Sequence, residues 1–280
     1  METNLYNRSS FKNGVKVLLS DLFNSKVKVA VTLCIVKASN YSIEVSPRRI
    51  ARVYGLNVQN TYRFFSVLEK GGIIAKKGRG YALRKTSRAK RFRELVLELI
   101  NDLSKGGKLD FFRMRVPDTH YYITLPSKHF KEWFGVSSPL VMVDKRLKEK
   151  ISSPEDINIV YMSLRAKKFK FDWSEYLSFA SPEQAFADVF SYDDNYISYV
   201  HDFLWNLSRL NLDEVLNLTN SRGLKIISTL LSYYALLTGA KIPLRVKGIE
   251  RFIERDIIDT MLSVATSAIV PDNVALEKNV

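Results

Sequence analysis

The sequence predicts an α+β chain, rich in helix, in two parts. A basic N-terminal part of helices and one hairpin precedes a larger α/β part that opens with strands and is mostly helical towards its end. Three observations carry this. Apolar residues recur at helical spacing over 26–39, 58–70 and 87–104, while short β-prone runs fall at 73–85 and between 109 and 173. The net charge of +14 is unevenly spread: residues 1–110 carry 22 Lys and Arg against 8 Asp and Glu, and residues 111–280 carry 21 of each. Gly106 and Gly107 end the last helix of the basic part where the excess of cations ends, so the boundary is expected there, dividing 1–107 from 108–280.

The elements follow in order. The run 27–36 is apolar on every side, so 26–39 reads as a buried helix with Cys34 as a small core residue. Residues 41–45 alternate and could form a short strand. Ser46 then offers an N-cap and Pro47 a first helical residue, opening a helix to Tyr54 with Ile50, Ala51 and Tyr54 inward. Gly55 permits the positive φ of a tight turn, Leu56 plugs it and Asn57 caps the next helix, 58–70. Thr61, Phe64, Phe65 and Leu68 mark its buried face. Gly71-Gly72 stops it, and "GRG" at 78–80 joins two β-prone runs as a hairpin. A helix over 87–104 is expected to bury Leu95, Val96, Leu99, Ile100 and Leu103. In the second part, 109–116, 120–126 and 167–173 read as strands, and 143–151 as a short charged helix or loop. Ser181-Pro182 opens a helix to about 192, followed by helices near 195–217, 222–239 and 247–267 and a loose tail from Pro271.

The outward residues of the basic part suit DNA. Gln59, Asn60, Tyr62, Arg63 and Ser66 stand away from the apolar face of 58–70. Such side chains can address base edges in a major groove, Gln and Asn reading adenine and Arg reading guanine. Asn57 begins the same helix. Lys76, Lys77 and Arg79 at the glycine-bearing hairpin tip can neutralise phosphate, and Arg48, Arg49 and Arg52 are expected outward on the preceding helix, beside the backbone. The same residues would also serve a solvated basic face, or a helix-turn-helix that docks protein.

Helix, turn, helix and hairpin over 46–84, "SPRRIARVYGLNVQNTYRFFSVLEKGGIIAKKGRGYALR", resembles the winged-helix family. The resemblance implies a DNA-binding transcriptional regulator. In the second part, "FASPEQAFADVF" after strands and before helices looks like the corresponding region of AbiEi-type antitoxins of type IV toxin–antitoxin systems. Ser181, Pro182, Glu183, Ala185 and Asp188 carry that match. It implies a repressor of its own operon whose C-terminal part counters a nucleotidyltransferase-like toxin.

Little in the sequence points to catalysis. His120, His129 and His201 stand in no metal-binding spacing, and Cys34 is the only cysteine. Asp193, Asp194, His201 and Asp202 read as charge at helix starts rather than a site. "KGGK" at 105–108 lacks the length of a phosphate loop. Trp133, Trp173 and Trp205 are expected as core or interface anchors. The expectation is therefore a cytoplasmic DNA-binding protein, not an enzyme, with no cofactor, metal or membrane partner. It could act as a homodimer. A nucleic-acid-processing enzyme or a non-specific DNA-binding or replication protein, each using the helix-turn-helix for targeting, is the alternative.

Overall fold

The computed structural model describes residues 25–130, 139–152 and 157–239. Its first part is a tripod of helices, α1 (Lys26–Ser39), α2 (Pro47–Tyr54) and α3 (Val58–Lys70), followed by the hairpin β1 (Ile74–Lys77) and β2 (Gly80–Leu83) and by α4 (Ser87–Asn101). α1 is buried from Val29 to Ala38, which fits a run that is apolar from Val29 to Val36 apart from Thr32; Lys37 is buried with it. Gly55 ends α2 at φ 65°, and the Asn57 side chain caps α3 by accepting from the Asn60 amide. Ser46 sits at the N-cap of α2 without a side-chain capping bond. The expected strand over 41–45 reduces to a single bridge, Val45 to Tyr81, which lays the chain against the outer edge of the hairpin. Gly80 is required there: a Cβ would lie 2.7 Å from the Val45 carbonyl.

The second part begins with a correction. Residues 109–116 are not a strand; Asp110–Arg115 is a helix, α5. The Asp110 carboxylate accepts from the Gly106 amide at 2.9 Å and from the Ser104 hydroxyl, and it pairs with Arg113 one turn later. A carboxylate that gathers the preceding loop and a cation at i+3 outweighs the β-propensity of Phe111 and Phe112. β3 (Tyr121–Thr124), β4 (Leu140–Asp144), β5 (Asn158–Met162), β6 (Phe169–Asp172) and β7 (Leu177–Ala180) form one mixed sheet in the order β5-β4-β3-β7-β6. β3 and β4 are antiparallel, β6 and β7 form an antiparallel hairpin, and the β3–β7 and β4–β5 pairs are parallel. Residues 145–147 make one 3-10 turn.

Helices then cover the sheet. Ser181 caps α6 (Pro182–Tyr192) by accepting from the Gln184 amide. Asp188 on its buried face accepts from Tyr122 Oη at 2.7 Å and Lys167 Nζ at 2.9 Å. The single helix expected over 195–217 is broken into α7 (Val200–Trp205) and α8 (Leu212–Leu218), because Asn211 starts a new cap. α9 (Ser221–Thr238) follows, ending on Gly239 at φ 69°. The helix expected over 247–267 and the tail from Pro271 lie outside the described residues, as does Trp133. Among the described residues no helix is long and apolar enough to cross a membrane.

Among the described residues two apolar clusters form the core. The larger runs without interruption from Val29 of α1 to Ala185 of α6, and so spans the glycine pair at 106–107. The smaller gathers Phe186, Phe190, Phe203, Leu216, Ile227 and Leu230 around α6 to α9. On α4 the buried positions are Ala89, Phe92, Val96 and Ile100, while Leu95 and Leu99 are only half-buried. Trp205, expected as an anchor, is 39% exposed.

A buried polar knot ties the first part to the sheet. Asp118, in the turn before β3, is fully buried and accepts from Lys37 Nζ of α1 at 2.9 and 3.0 Å. It also accepts from Tyr54 Oη of α2 at 2.5 Å and Tyr121 Oη of β3 at 3.3 Å, while its own carbonyl accepts from Ser178 of β7. Burial and the neighbouring carboxylate push the Tyr54 and Tyr121 hydroxyls well above the usual phenol range, so both remain donors. Removing one member of a buried pair strands the other charge without water. Lys37→Met is therefore expected to cost about 3–5 kcal/mol, read as a lower urea midpoint; an unchanged midpoint would contradict this account of the knot.

Candidate nucleic-acid interface

The outer face of α3 presents a run of exposed polar side chains beside the hairpin. Gln59, Asn60, Tyr62, Arg63 and Ser66 are all exposed, as the spacing predicts, and Gln59, Arg63, Ser66 and Lys70 lie along one stripe of the helix. Thr61, Phe65 and Leu68 hold the other side in the core. The face is not purely polar: Val58 is 44% exposed, Tyr62 47% and Val67 61%. Sequence reasoning passed over Val58 and Val67, although both fall off the Thr61–Phe65–Leu68 stripe and so could have been placed outward. Exposed methyl groups on such a face can meet thymine methyls. The Asn57 side chain is occupied as the cap of α3, at 3.0 Å from the Asn60 amide.

The hairpin stands next to this helix. Phe65 of α3 packs its ring 5.0 Å from that of Tyr81 on β2, and Arg84 Nε fixes the base of the hairpin by donating to the Ile74 carbonyl at 3.0 Å. Lys77 pairs with Gly80, so Gly78 and Arg79 form a two-residue tip, with Gly78 at φ 54°. Lys76, Lys77 and Arg79 are exposed. Among the described residues, none of Arg48, Arg63, Lys70, Lys76, Lys77, Arg79 or Lys85 is ion-paired. Lys70 and Lys85, at the two ends of this region, were not among the residues singled out from sequence.

The three arginines of α2 separate. Arg48 is exposed and unpaired. Arg52 is exposed but donates to the Arg165 carbonyl at 3.3 Å, which turns it towards the loop before β6. Arg49 does not stand outward: its side chain is 19% exposed and lies 3.7 Å from Asp144 at the end of β4. Burial lowers the Arg49 guanidinium to about 10, with Asp144 acting in the opposite direction, so it stays charged at neutral pH. Arg146 clamps the same carboxylate through two 3.0 Å bonds. Beside them His120 is wholly buried and shares a 2.9 Å hydrogen bond with Thr119. Burial, then the charges of Arg49 and Arg146, push the His120 imidazole down to about 3.

Cys34 is buried 3.7 Å from Tyr54 Oη and 3.8 Å from Thr119 Oγ1, and burial raises its thiol to about 11, in keeping with a core role. Among the described residues no group of three or more His, Cys, Asp or Glu side chains is placed to hold a metal. His201 stacks on Trp205 at 6.0 Å between ring centroids. Asp193 and Asp194 belong to the join before α7, where Asp194 pairs with Arg222 at 3.0 Å. No family model matches the chain, and no curated protein or solved structure matches it.

His120 gives the fold a pH dependence of defined sign. The unfolded chain protonates this residue near its ordinary 6.5, whereas the folded chain does so only near 3. Its contribution is therefore complete above 6.5 and is lost as the pH falls towards 3. From 6.5 to about pH 5 the loss is about 2 kcal/mol. Urea midpoints for the unaltered chain and for His120→Gln should diverge in slope over this range, with the variant flatter; parallel slopes would count against the buried neutral imidazole.

Proposed function

We propose that the N-terminal part is a winged helix that binds duplex DNA with sequence specificity, and that the protein represses transcription by occupying an operator. The observation that carries this reading is the outer face of α3: exposed Gln59, Asn60, Tyr62, Arg63 and Ser66, with Glu69 in the last turn as the helix's one acidic side chain, beside a hairpin tip of unpaired cations. α3 supplies base-reading groups. Lys76, Lys77 and Arg79 supply phosphate contacts on one flank, and Arg48 supplies them on α2. The part bearing the whole net charge of +14 is also the part bearing these residues, which supports a polyanionic partner.

The C-terminal part is then the partner-binding half. The resemblance through Ser181, Pro182, Glu183, Ala185 and Asp188 makes a nucleotidyltransferase-like toxin the partner to try by co-expression. In this fold those residues start and seat α6, with Asp188 held between Tyr122 and Lys167.

Binding to the chain's own promoter and to a scrambled duplex, across a salt series, tests the reading. The promoter should be preferred by about 10³-fold or more, with a steep fall in affinity as salt rises. Arg63→Ala should lose about 1–3 kcal/mol of that preference, whereas Lys77→Ala should weaken both duplexes alike and lower the salt slope by about 1. Equal affinity for promoter and scramble would refute sequence-specific repression.

A further inference from the structure

Where the two parts meet, α4 and α5 border a cavity of about 390 Å³, which is within the range of small-molecule sites. Each helix turns one face to it. Leu97, Ile100 and Asn101 of α4 stand at positions i, i+3 and i+4, and so do Phe111, Met114 and Arg115 of α5. Residues at that spacing share a helix face, so the lining side chains of each helix point the same way. Ile100 is buried, and Leu97, Phe111 and Met114 are half-buried. The wall is mainly aliphatic, and an unbranched methionine adapts its shape to an alkyl chain.

The polar end is cationic. Arg115 and Lys150 line the cavity, and no carboxylate does. Arg115 is exposed and has no ion-pair partner among the described residues. Lys150 Nζ gives one N–H to the Tyr41 carbonyl at 2.9 Å, which leaves it two more to donate. Tyr41, just beyond the end of α1, completes this end. Burial raises its hydroxyl above the usual phenol range and the nearby charge of Arg115 acts in the opposite direction, so the hydroxyl remains a donor at neutral pH. A guanidinium fork matches the two oxygens of one carboxylate. Cations at one end of an aliphatic wall select a ligand that is anionic at one end and apolar along the rest.

We propose that this cavity is a binding site for a small aliphatic carboxylate, its chain against Leu97, Phe111 and Met114 and its charge at Arg115, with Lys150 and Tyr41 beside it. The site does not depend on α3 reading DNA. It does join the two parts, because α4 and Tyr41 belong to the first and α5 and Lys150 to the second. A ligand there would touch both.

The test is isothermal titration calorimetry of the full chain with sodium octanoate, an eight-carbon chain with one negative charge. One saturable site is expected. Arg115→Glu should weaken it by about tenfold or more through charge reversal, and Asn101→Trp, which fills the cavity from an exposed helix position, should abolish it. Uncharged 1-octanol should bind the unaltered chain more weakly and be indifferent to Arg115→Glu. Circular dichroism and urea midpoints establish that both variants are folded. Heats that never saturate, or octanoate affinity unchanged in either folded variant, overturn the proposal.

Discussion

The buried pair of Lys37 and Asp118 is the contact on which the arrangement of the two parts depends. Both side chains are fully buried, at 0% exposure, so neither charge has water to fall back on. In such a setting the Coulomb attraction alone does not repay desolvation, and further hydrogen bonds must complete the shell. Tyr54 and Tyr121 do this, and each comes from a different element. The carboxylate thus collects α1, α2 and β3 at one point, and its backbone carbonyl adds β7. An aspartate with these partners can sit in only one register, so the knot fixes where the helices of the first part stand on the sheet.

That constraint explains the behaviour of α2. One side of the helix faces α3, and the other meets the sheet through Tyr54 and Arg49. Arg49 is drawn to Asp144, and Arg52 to the Arg165 carbonyl, because the sheet presents acceptors there. Cations that would otherwise join a phosphate-binding face are spent on the junction. The exposed basic surface is narrower than the charge count suggests and centres on α3 and the hairpin tip. The larger part, neutral in total, is not neutral locally: Lys128, Lys167, Lys168 and Lys170 gather at one cavity.

Much of the first part was legible in the sequence, because its signals are local. Pro47, Gly55, Asn57 and the Gly71-Gly72 pair each act on their own turn, and α2 and α3 begin and end where those residues indicate. The sheet was less legible. β4 and β7 are buried at every position, so "LVMVD" and "LSFA" show no alternation to detect. "NIVYM" of β5 carried a readable β-branched signal that was passed over. Residues 109–116 alternate well enough to look like a strand, and only the loop contacts of Asp110 decide for a helix. At the candidate interface, periodicity placed the α3 face correctly. It could not place Arg49, whose partner lies 95 positions away at Asp144. Long-range pairing of that kind leaves no mark in local spacing.

A core that crosses residues 106–107 and the Asp118 knot together join the helix-and-hairpin part to the sheet, so the two should unfold as one cooperative body. Differential scanning calorimetry of the full chain measures this directly. A single transition is expected, with calorimetric and van't Hoff enthalpies that agree. Two resolved transitions, or a calorimetric enthalpy well above the van't Hoff value, would show that the parts unfold independently and would contradict it.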